Sequence, residues 1–322
     1  MNATGAESGP AVAPPFMAPP LALTSKEFAT IAALARDEFG LELGHGKEQL
    51  VASRLAKLMR QRSYTAFRDY YRYVEGDRTG EALVELIDAL TTNHTSFFRE
   101  PAHFDFLVQR VFADHDGRGP LRIWSAASST GEEPYTIALT AREHLLSNCA
   151  RPGRTTEPGV VAEFPDAAGR AARAPGAQSR ALPRILATDI SARVLETARK
   201  GLYKAERFEA GPAPWLRKHL LRGEGRWQGW YRMRPEILEM VEFHRLNLIE
   251  PLPDVGRFAV IFCRNVMIYF SRETQEGLVN RLAACLEPGG YLFVGHSESL
   301  TGIQHPLQQI QPAIYRKRGG KK

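Results

Sequence analysis

Apolar residues recur at three- and four-residue intervals through the early part of the chain. Thr24-x-x-Glu27 has the form of a capping box, and Phe28, Ile31, Ala35 and Phe39 follow at helical spacing until Gly40 offers a stop. Val51, Leu55, Leu58 and Met59 mark a second helix, Phe67, Tyr70, Tyr71 and Val74 a third, and Leu83, Leu86, Ile87 and Leu90 a fourth. The spacing thus predicts a small all-helical domain over 24–92. From Asn93 onward the rhythm changes to short apolar runs alternating with amphipathic stretches. Leu121–Trp124, Arg184–Thr188, Val241–Arg245, Phe258–Cys263 and Tyr291–Val294 read as strands, with a last strand including Ile314 and Tyr315. Helices are expected over Tyr135–Leu146, after Ser191 and after Ser271. Such alternation predicts an α/β fold, a doubly wound sheet with helices on both faces, over 93–322.

Three segments break the pattern. Residues 1–23 are rich in Ala, Pro and Gly with Glu7 as the one charge, and are expected to form a disordered tail. Residues 150–183, loaded with Pro, Gly, Ala and Arg, show no sustained period and read as a flexible insertion. The segment from about 212 to 245 sets Gly223, Gly225 and Gly229 among aromatic and apolar residues. This suits short antiparallel strands with tight turns, an inserted β-subdomain. No internal repeat is evident.

Composition narrows the function classes. With 322 residues the chain can bury a substantial core. No run approaches the roughly 20 apolar residues of a membrane span, and Met1 to Pro20 lacks the features of a secretory signal, so a cytoplasmic protein without membrane insertion is expected. Cys149, Cys263 and Cys285 have no C-x-x-C spacing, which predicts free thiols, no disulfide and no metal. The net charge of +6 suits an acidic partner or simple solubility.

The sharpest chemistry lies in Ser125-Ala126-Ala127-Ser128-Ser129-Thr130-Gly131-Glu132-Glu133, small residues that follow a strand and open a helix. Small side chains let a ligand approach the backbone beside the helix N-terminus, the usual place for a nucleotide-like group in a doubly wound sheet. The run is not G-x-G-x-x-G, and its two carboxylates would repel a pyrophosphate while attracting a cationic amine. S-adenosylmethionine, which carries an amine and a sulfonium but no phosphate, fits better than a dinucleotide. Asp189, ending the next strand, is placed either to accept bonds from two ribose hydroxyls or to cap the helix after Ser191. Asn265 follows the apolar strand Phe258–Cys263, where it would face the reactive end of the ligand.

Leu90-Thr91-Thr92-Asn93-His94-Thr95-Ser96-Phe97-Phe98-Arg99-Glu100, the segment Trp124–Tyr135, Leu195–Tyr203 and Phe262–Phe270, in this order, resemble the chemotaxis receptor glutamate methyltransferases, the CheR family. The resemblance runs from about Ser25 to Tyr315, outside the insertion, and implies a class I methyltransferase sheet. It also implies a cofactor pocket formed by Asn93, Thr95, Arg99, Glu133, Asp189, Asn247, Leu248, Asn265 and Val266, with the roles of Glu132 and Glu133 open to exchange. The implied activity is methyl transfer from S-adenosylmethionine to glutamate side chains of methyl-accepting chemoreceptors. It leaves methyl esters and S-adenosylhomocysteine and tunes receptor signalling. The β-subdomain is then expected to take up a receptor C-terminal tail as an added strand, with Gly223, Gly225 and Gly229 at the lengths and positions seen in tail-binding members.

A glutamate carboxylate is already ionised at neutral pH, so this reaction requires positioning rather than a general base. Arg99 and Tyr269 are the candidates for lining the point of transfer. Arg54, Lys57 and Arg60, three residues apart on the second helix, form a basic stripe suited to an acidic receptor helix or to solvent. Two rivals remain at this level. One is methylation of a nucleic acid or small molecule, since Asn265-x-x-x-Tyr269 distantly matches base methylases but lacks their prolines. The other is a non-catalytic signalling protein that binds the cofactor as a sensor.

Overall fold

The computed structural model describes residues 23–44, 46–91, 95–115, 120–147, 159–161, 182–208 and 213–319. Four helices come first: α1 (Ser25–Phe39), α2 (Glu48–Gln61), α3 (Phe67–Gly76) and α4 (Glu81–Leu90). The capping box at the start of α1 is formed, with the Thr24 hydroxyl accepting from the Glu27 amide at 3.2 Å and the Glu27 carboxylate accepting from the Thr24 amide at 2.8 Å. Gly40 ends the helix in the left-handed conformation (φ +66°). The apolar positions that announced these helices face inward: Ile31, Val51, Leu55, Leu58, Met59, Tyr70 and Leu86 are buried.

The larger unit begins with α5 (Ala102–Phe106), which runs on as a single π-helical stretch, Leu107–Phe112. It continues through β1 (Arg122–Ser125), α6 (Glu132–Ser147), β2 (Gly159–Val161), β3 (Arg184–Asp189), α7 (Ala192–Lys200) and β4 (Leu202–Lys204). Then come α8 (Pro214–Arg217), β5 (Leu220–Gly223), β6 (Trp230–Met233), α9 (Pro235–Leu238) and β7 (Val241–Arg245). The chain closes with β8 (Phe258–Cys263), α10 (Arg272–Cys285), β9 (Leu286–Val294), β10 (Leu307–Gln311) and β11 (Ile314–Lys317).

Seven strands form the main sheet in the order β10-β11-β9-β8-β1-β3-β7. β7, β3, β1, β8 and β9 run parallel, and β11 and β10 add as an antiparallel hairpin at one edge. Residues alternate between faces along each strand. Ile261 and Cys263 belong to a core shared with α10 and the four N-terminal helices. Val260 and Phe262 face α6, α7 and the 102–112 helix. The helical domain is thus seated on one face of the sheet, and an isolated bridge between Leu41 and Phe270 ties it to the segment after β8. The doubly wound class expected from the pattern is the observed one.

Several elements depart from expectation. β9 starts at Leu286 rather than Tyr291, because Gly290 lets its backbone pass the Ala259 carbonyl, 2.9 Å from where a Cβ would stand. β10 carries four exposed residues out of five, so it had no apolar signature to betray it. The smaller sheet, β2-β5-β6-β4, takes in Leu202–Lys204, ahead of the expected range, whereas Val241–Arg245 at the end of that range joins the large sheet. Within the stretch expected to be structureless, Gly159–Val161 pairs in parallel with β5. The rest of the insertion up to residue 181, and the tail apart from Leu23, lie outside the described residues. Cys263 and Cys285 are free, Cys149 lies outside the described residues, and no helix among the described residues is long and apolar enough to cross a membrane.

One close approach fixes the turn between β1 and α6. Gly131 has φ +97°, and a Cβ there would lie 2.7 Å from the Tyr203 hydroxyl and 2.8 Å from the Ala198 Cβ. Gly131→Ala is therefore expected to lower stability by at least ~1–3 kcal/mol from the backbone conformation alone, with added cost from the overlap. Urea denaturation followed by circular dichroism measures it.

Candidate active site

Parallel strands on either side of β1 lead to opposite sides of the sheet, so the crevice beyond the carboxyl ends of β1, β3 and β8 is the place where such folds bind ligands. A cavity of about 400 Å³ opens there. Its walls come from the loop after β1, the ends of β3, β7 and β8, the 95–99 segment, and the helical domain through Phe39, Leu41, Ile87 and Asp88. Thr95, Arg99, Glu133, Asp189, Asn247, Leu248, Asn265, Val266 and Tyr269 all line this one cavity. Asn93 lies outside the described residues.

The β1–α6 turn is held from below by β3. The Ser128 amide donates to the Thr188 carbonyl at 2.9 Å, and the Ser129 amide to Asp189 Oδ2 at 2.8 Å, with Ser129 itself at φ +47°. Asp189 Oδ1 accepts from the Ser191 amide at 3.0 Å. Of the two uses weighed for Asp189, the tie to the start of α7 is the one observed, through the Ser191 amide. Each oxygen takes one backbone amide, and each retains a lone pair for a ligand hydroxyl. Burial, reinforced by nearby Asp88, pushes the Asp189 carboxyl up to about 6.

Glu132 and Glu133 separate cleanly. Glu132 is fully buried away from the cavity, where it pairs with Arg207 and accepts from the Thr130 hydroxyl at 2.6 Å. Glu133 lines the cavity and accepts from the Ser125 hydroxyl at 2.7 Å. Burial raises its carboxyl, and the opposing pull comes first from Arg264.

Arg264, quoted above only as part of an apolar strand's exit, is the central cation. Its side chain is 3% exposed and pairs with Glu133 and with Glu100, each at 3.0 Å, while donating to the Arg99 carbonyl at 2.5 Å. A lone arginine closing an otherwise apolar run was the sequence signal for it. Arg99 sits between two residues with left-handed backbone, Phe98 (φ +57°) and Glu100 (φ +60°). Phe97 anchors this loop, stacked on Phe208 at 4.2 Å and edge-on to Tyr203 at 4.9 Å. Backbone conformations of this kind persist only where surrounding contacts impose them.

Glu100, His103 and His296 bring three potential metal-ligand atoms within 4.8 Å of one another, but the Glu100 carboxylate is already neutralised by Arg264. Asn247 lines the cavity while its amide donates to the Glu38 carbonyl (3.2 Å) and to Glu250 (2.9 Å), tying α1 to the exit of β7. The Tyr269 carbonyl accepts from the Glu42 amide at 2.7 Å, a second tie to the helical domain. Asp88, on α4, accepts from the Ser191 hydroxyl at 2.6 Å. The helical domain thus forms one wall of the site, which the pattern of apolar positions could not reveal.

The remaining candidates lie elsewhere. Lys57 and Arg60 are exposed on α2, but Arg54 is half-buried and donates to the Leu90 carbonyl, so only part of the expected basic stripe faces solvent. Gly223 ends β5, and Gly225 (φ +56°) and Gly229 (φ +81°) shape the turn to β6 in conformations that favour glycine. Each has an ordinary structural reason to be glycine or to end a strand.

Comparison with known proteins agrees with this architecture. The model for the "CheR methyltransferase, SAM binding domain" matches residues 93–151 and 171–315, and that for the "CheR methyltransferase, all-alpha domain" matches 26–91. Chemotaxis protein methyltransferase 2 of Pseudomonas aeruginosa is 38% identical over 277 residues, covering 86% of this chain and 87% of the relative. The chemotaxis protein methyltransferases of Salmonella typhimurium and Escherichia coli are each 36% identical, covering 92% of this chain and 91% and 92% of theirs. With both domains matched in order over most of its length, the chain belongs to the CheR methyltransferase family, whose methyl donor is S-adenosylmethionine.

Proposed function

We propose that this protein is a cytoplasmic enzyme that methylates glutamate side chains on the cytoplasmic domain of chemoreceptors, producing glutamate methyl esters and S-adenosylhomocysteine. The observation that carries the reading is a cavity at the carboxyl ends of parallel strands lined by the carboxylates of Glu133, Asp189 and Asp88 and by two cations, Arg99 and Arg264, the second already paired with Glu133 and Glu100. These residues suit a donor with a cationic amine, a ribose and a carboxylate. Glu133 would hold the amine, Asp189 the ribose hydroxyls, and Asn265 and Val266 the reactive end.

Bound S-adenosylmethionine supplies an electrophilic methyl group on a positively charged sulfur. The residues of this chain then have to position and desolvate the acceptor. A glutamate carboxylate, with pKa near 4.3, arrives ionised and needs no base. Arg99 would orient a carboxylate by charge-assisted bonding, and Tyr269 would line the point of approach. Holding the two partners in line supplies several kcal/mol of barrier reduction. A receptor-specific substrate also fits the exposed cations Lys57 and Arg60 on the helical domain.

Three outcomes test the reading. Wild-type protein should transfer tritiated methyl to receptor-containing membranes as a base-labile ester that releases methanol, and Arg99→Ala should cut that turnover by about 10–100-fold, the range for losing a bond to a charged group. Transfer without methanol release would exclude a carboxyl ester, and unchanged kinetics would remove Arg99 from the site.

The second outcome concerns pH. Asp189 accepts best when ionised, so donor affinity measured by calorimetry should hold above pH about 6 and fall as the pH drops through it. In the ligand-free protein the sign for stability is opposite. A folded-state value of about 6 against an ordinary 3.8 means that the folded chain takes up a proton first. That contribution is complete below 3.8 and is lost as the pH rises through 6.

The third outcome concerns receptor binding. Lys57→Glu with Arg60→Glu should weaken binding of a receptor cytoplasmic fragment several-fold at low salt, with the difference shrinking at high salt. A C-terminal receptor peptide should bind with affinity unaffected by that pair of changes, because it would dock on the smaller sheet. Absence of heat with the peptide at high micromolar concentration would remove the tail from the proposal.

A further inference from the structure

Glu298 does not line the cavity, yet its carboxylate is 7% exposed and is spent on the backbone of the loop that does. Its Oε2 accepts from the Asn265 amide at 2.8 Å and from the Gly295 amide at 2.6 Å, and its Oε1 accepts from the Ile268 amide at 3.2 Å. Three backbone donors, at the exits of β8 and β9 and in the single 3-10 turn Met267–Tyr269, are thereby satisfied by one side chain. The Glu298 amide donates in turn to the Gly295 carbonyl at 2.8 Å, closing a tight turn after β9. The carboxylate consequently links the ends of two adjacent parallel strands, β8 and β9.

Asn265 is held at φ +58°, a conformation that costs an ordinary L-residue roughly 1–2 kcal/mol and that asparagine tolerates better than most. Gly295 is the other half of the arrangement. A Cβ there would fall 2.5 Å from Asn265 Nδ2 and 2.8 Å from Glu298 Oε2, so only glycine lets the Asn265 amide and the Glu298 carboxylate lie against the same backbone. The sequence Gly295-His296-Ser297-Glu298 thus forms a seat for Asn265, on the side away from the cavity.

We propose that Glu298 is a positioning residue for methyl transfer: it fixes Asn265 in its left-handed conformation, and through Asn265 sets the affinity of the cavity for the methyl donor. This rests on the cavity being the donor site. It goes further in assigning a role to a carboxylate that touches neither donor nor acceptor.

A double-mutant cycle tests it, with donor affinity read by calorimetry and folding by thermal melts. Asn265→Ala and Glu298→Ala should each weaken donor binding about tenfold or more, the scale of one charge-assisted bond. The double variant should bind much as Asn265→Ala does, because a residue acting through another adds little once that other is gone. Glu298→Gln, whose carbonyl oxygen can still accept from Asn265 and Gly295, should recover part of the affinity.

Additive losses, an unchanged affinity in Glu298→Ala, or a Glu298→Gln variant as weak as the alanine would each overturn the proposal. If Glu298→Ala loses its cooperative melt, Gly295→Ala takes its place in the cycle, since its Cβ would crowd the Asn265 side-chain amide and the Glu298 carboxylate while removing no bonding group. The same two patterns then decide: coupling to Asn265 supports the proposal, and additivity overturns it. A wild-type protein that binds no donor, or an Asn265→Ala variant that binds it normally, would overturn the reading of the cavity itself and the proposal with it.

Discussion

Arg264 leaves β8 inside the protein with two carboxylates waiting for it, Glu133 from the start of α6 and Glu100 from the loop before α5. These three groups come from segments far apart in sequence, and the shape of the crevice follows from their meeting. A buried ion pair contributes little net stability over an apolar substitute, but removing one partner leaves an uncompensated charge and costs about 3–5 kcal/mol. The arrangement therefore acts as a constraint on geometry more than as a source of stability. It fixes the Arg99 carbonyl and keeps Glu133 aimed at the cavity.

That constraint gives the crevice its electrostatic character. The N-terminus of α6 would ordinarily favour an anion, yet Glu132 and Glu133 occupy it, and Asp189 and Asp88 stand opposite. A phosphate-bearing cofactor would meet this acidic wall with repulsion, whereas a sulfonium donor meets attraction. Burial raises both Asp189 and Glu133, but Glu133 already has Arg264 beside it, so Asp189 is the carboxylate whose charge no neighbouring cation offsets strongly. Perturbed carboxylates gathered in one crevice are a feature of functional sites.

Much of this was legible in the residues. Apolar spacing located the helices of the first domain and six strands of the main sheet, because burial enforces period there. The small-residue turn after β1 and the carboxylate ending β3 stood out because a ligand must reach the backbone between them. What escaped had no periodic or compositional mark. β10 is almost entirely exposed, β4 is three residues long, and Arg264 gains its meaning only from partners more than a hundred residues away. The choice between Glu132 and Glu133 was likewise open until the direction of each side chain from α6 was known. The part played by α1 and α4 in walling the cavity depends on how one domain docks on another, which no local pattern encodes.

Gly159–Val161 lies against β5, at one border of the smaller sheet, while β4 forms the other. Any further strand pairing along that margin of β5 would meet a resident that belongs to the same chain. Displacing it exchanges one set of ladder bonds for another, so the added strand must owe its hold to side chains rather than to main-chain pairing. The insertion thereby occupies what would otherwise be an open margin of β5.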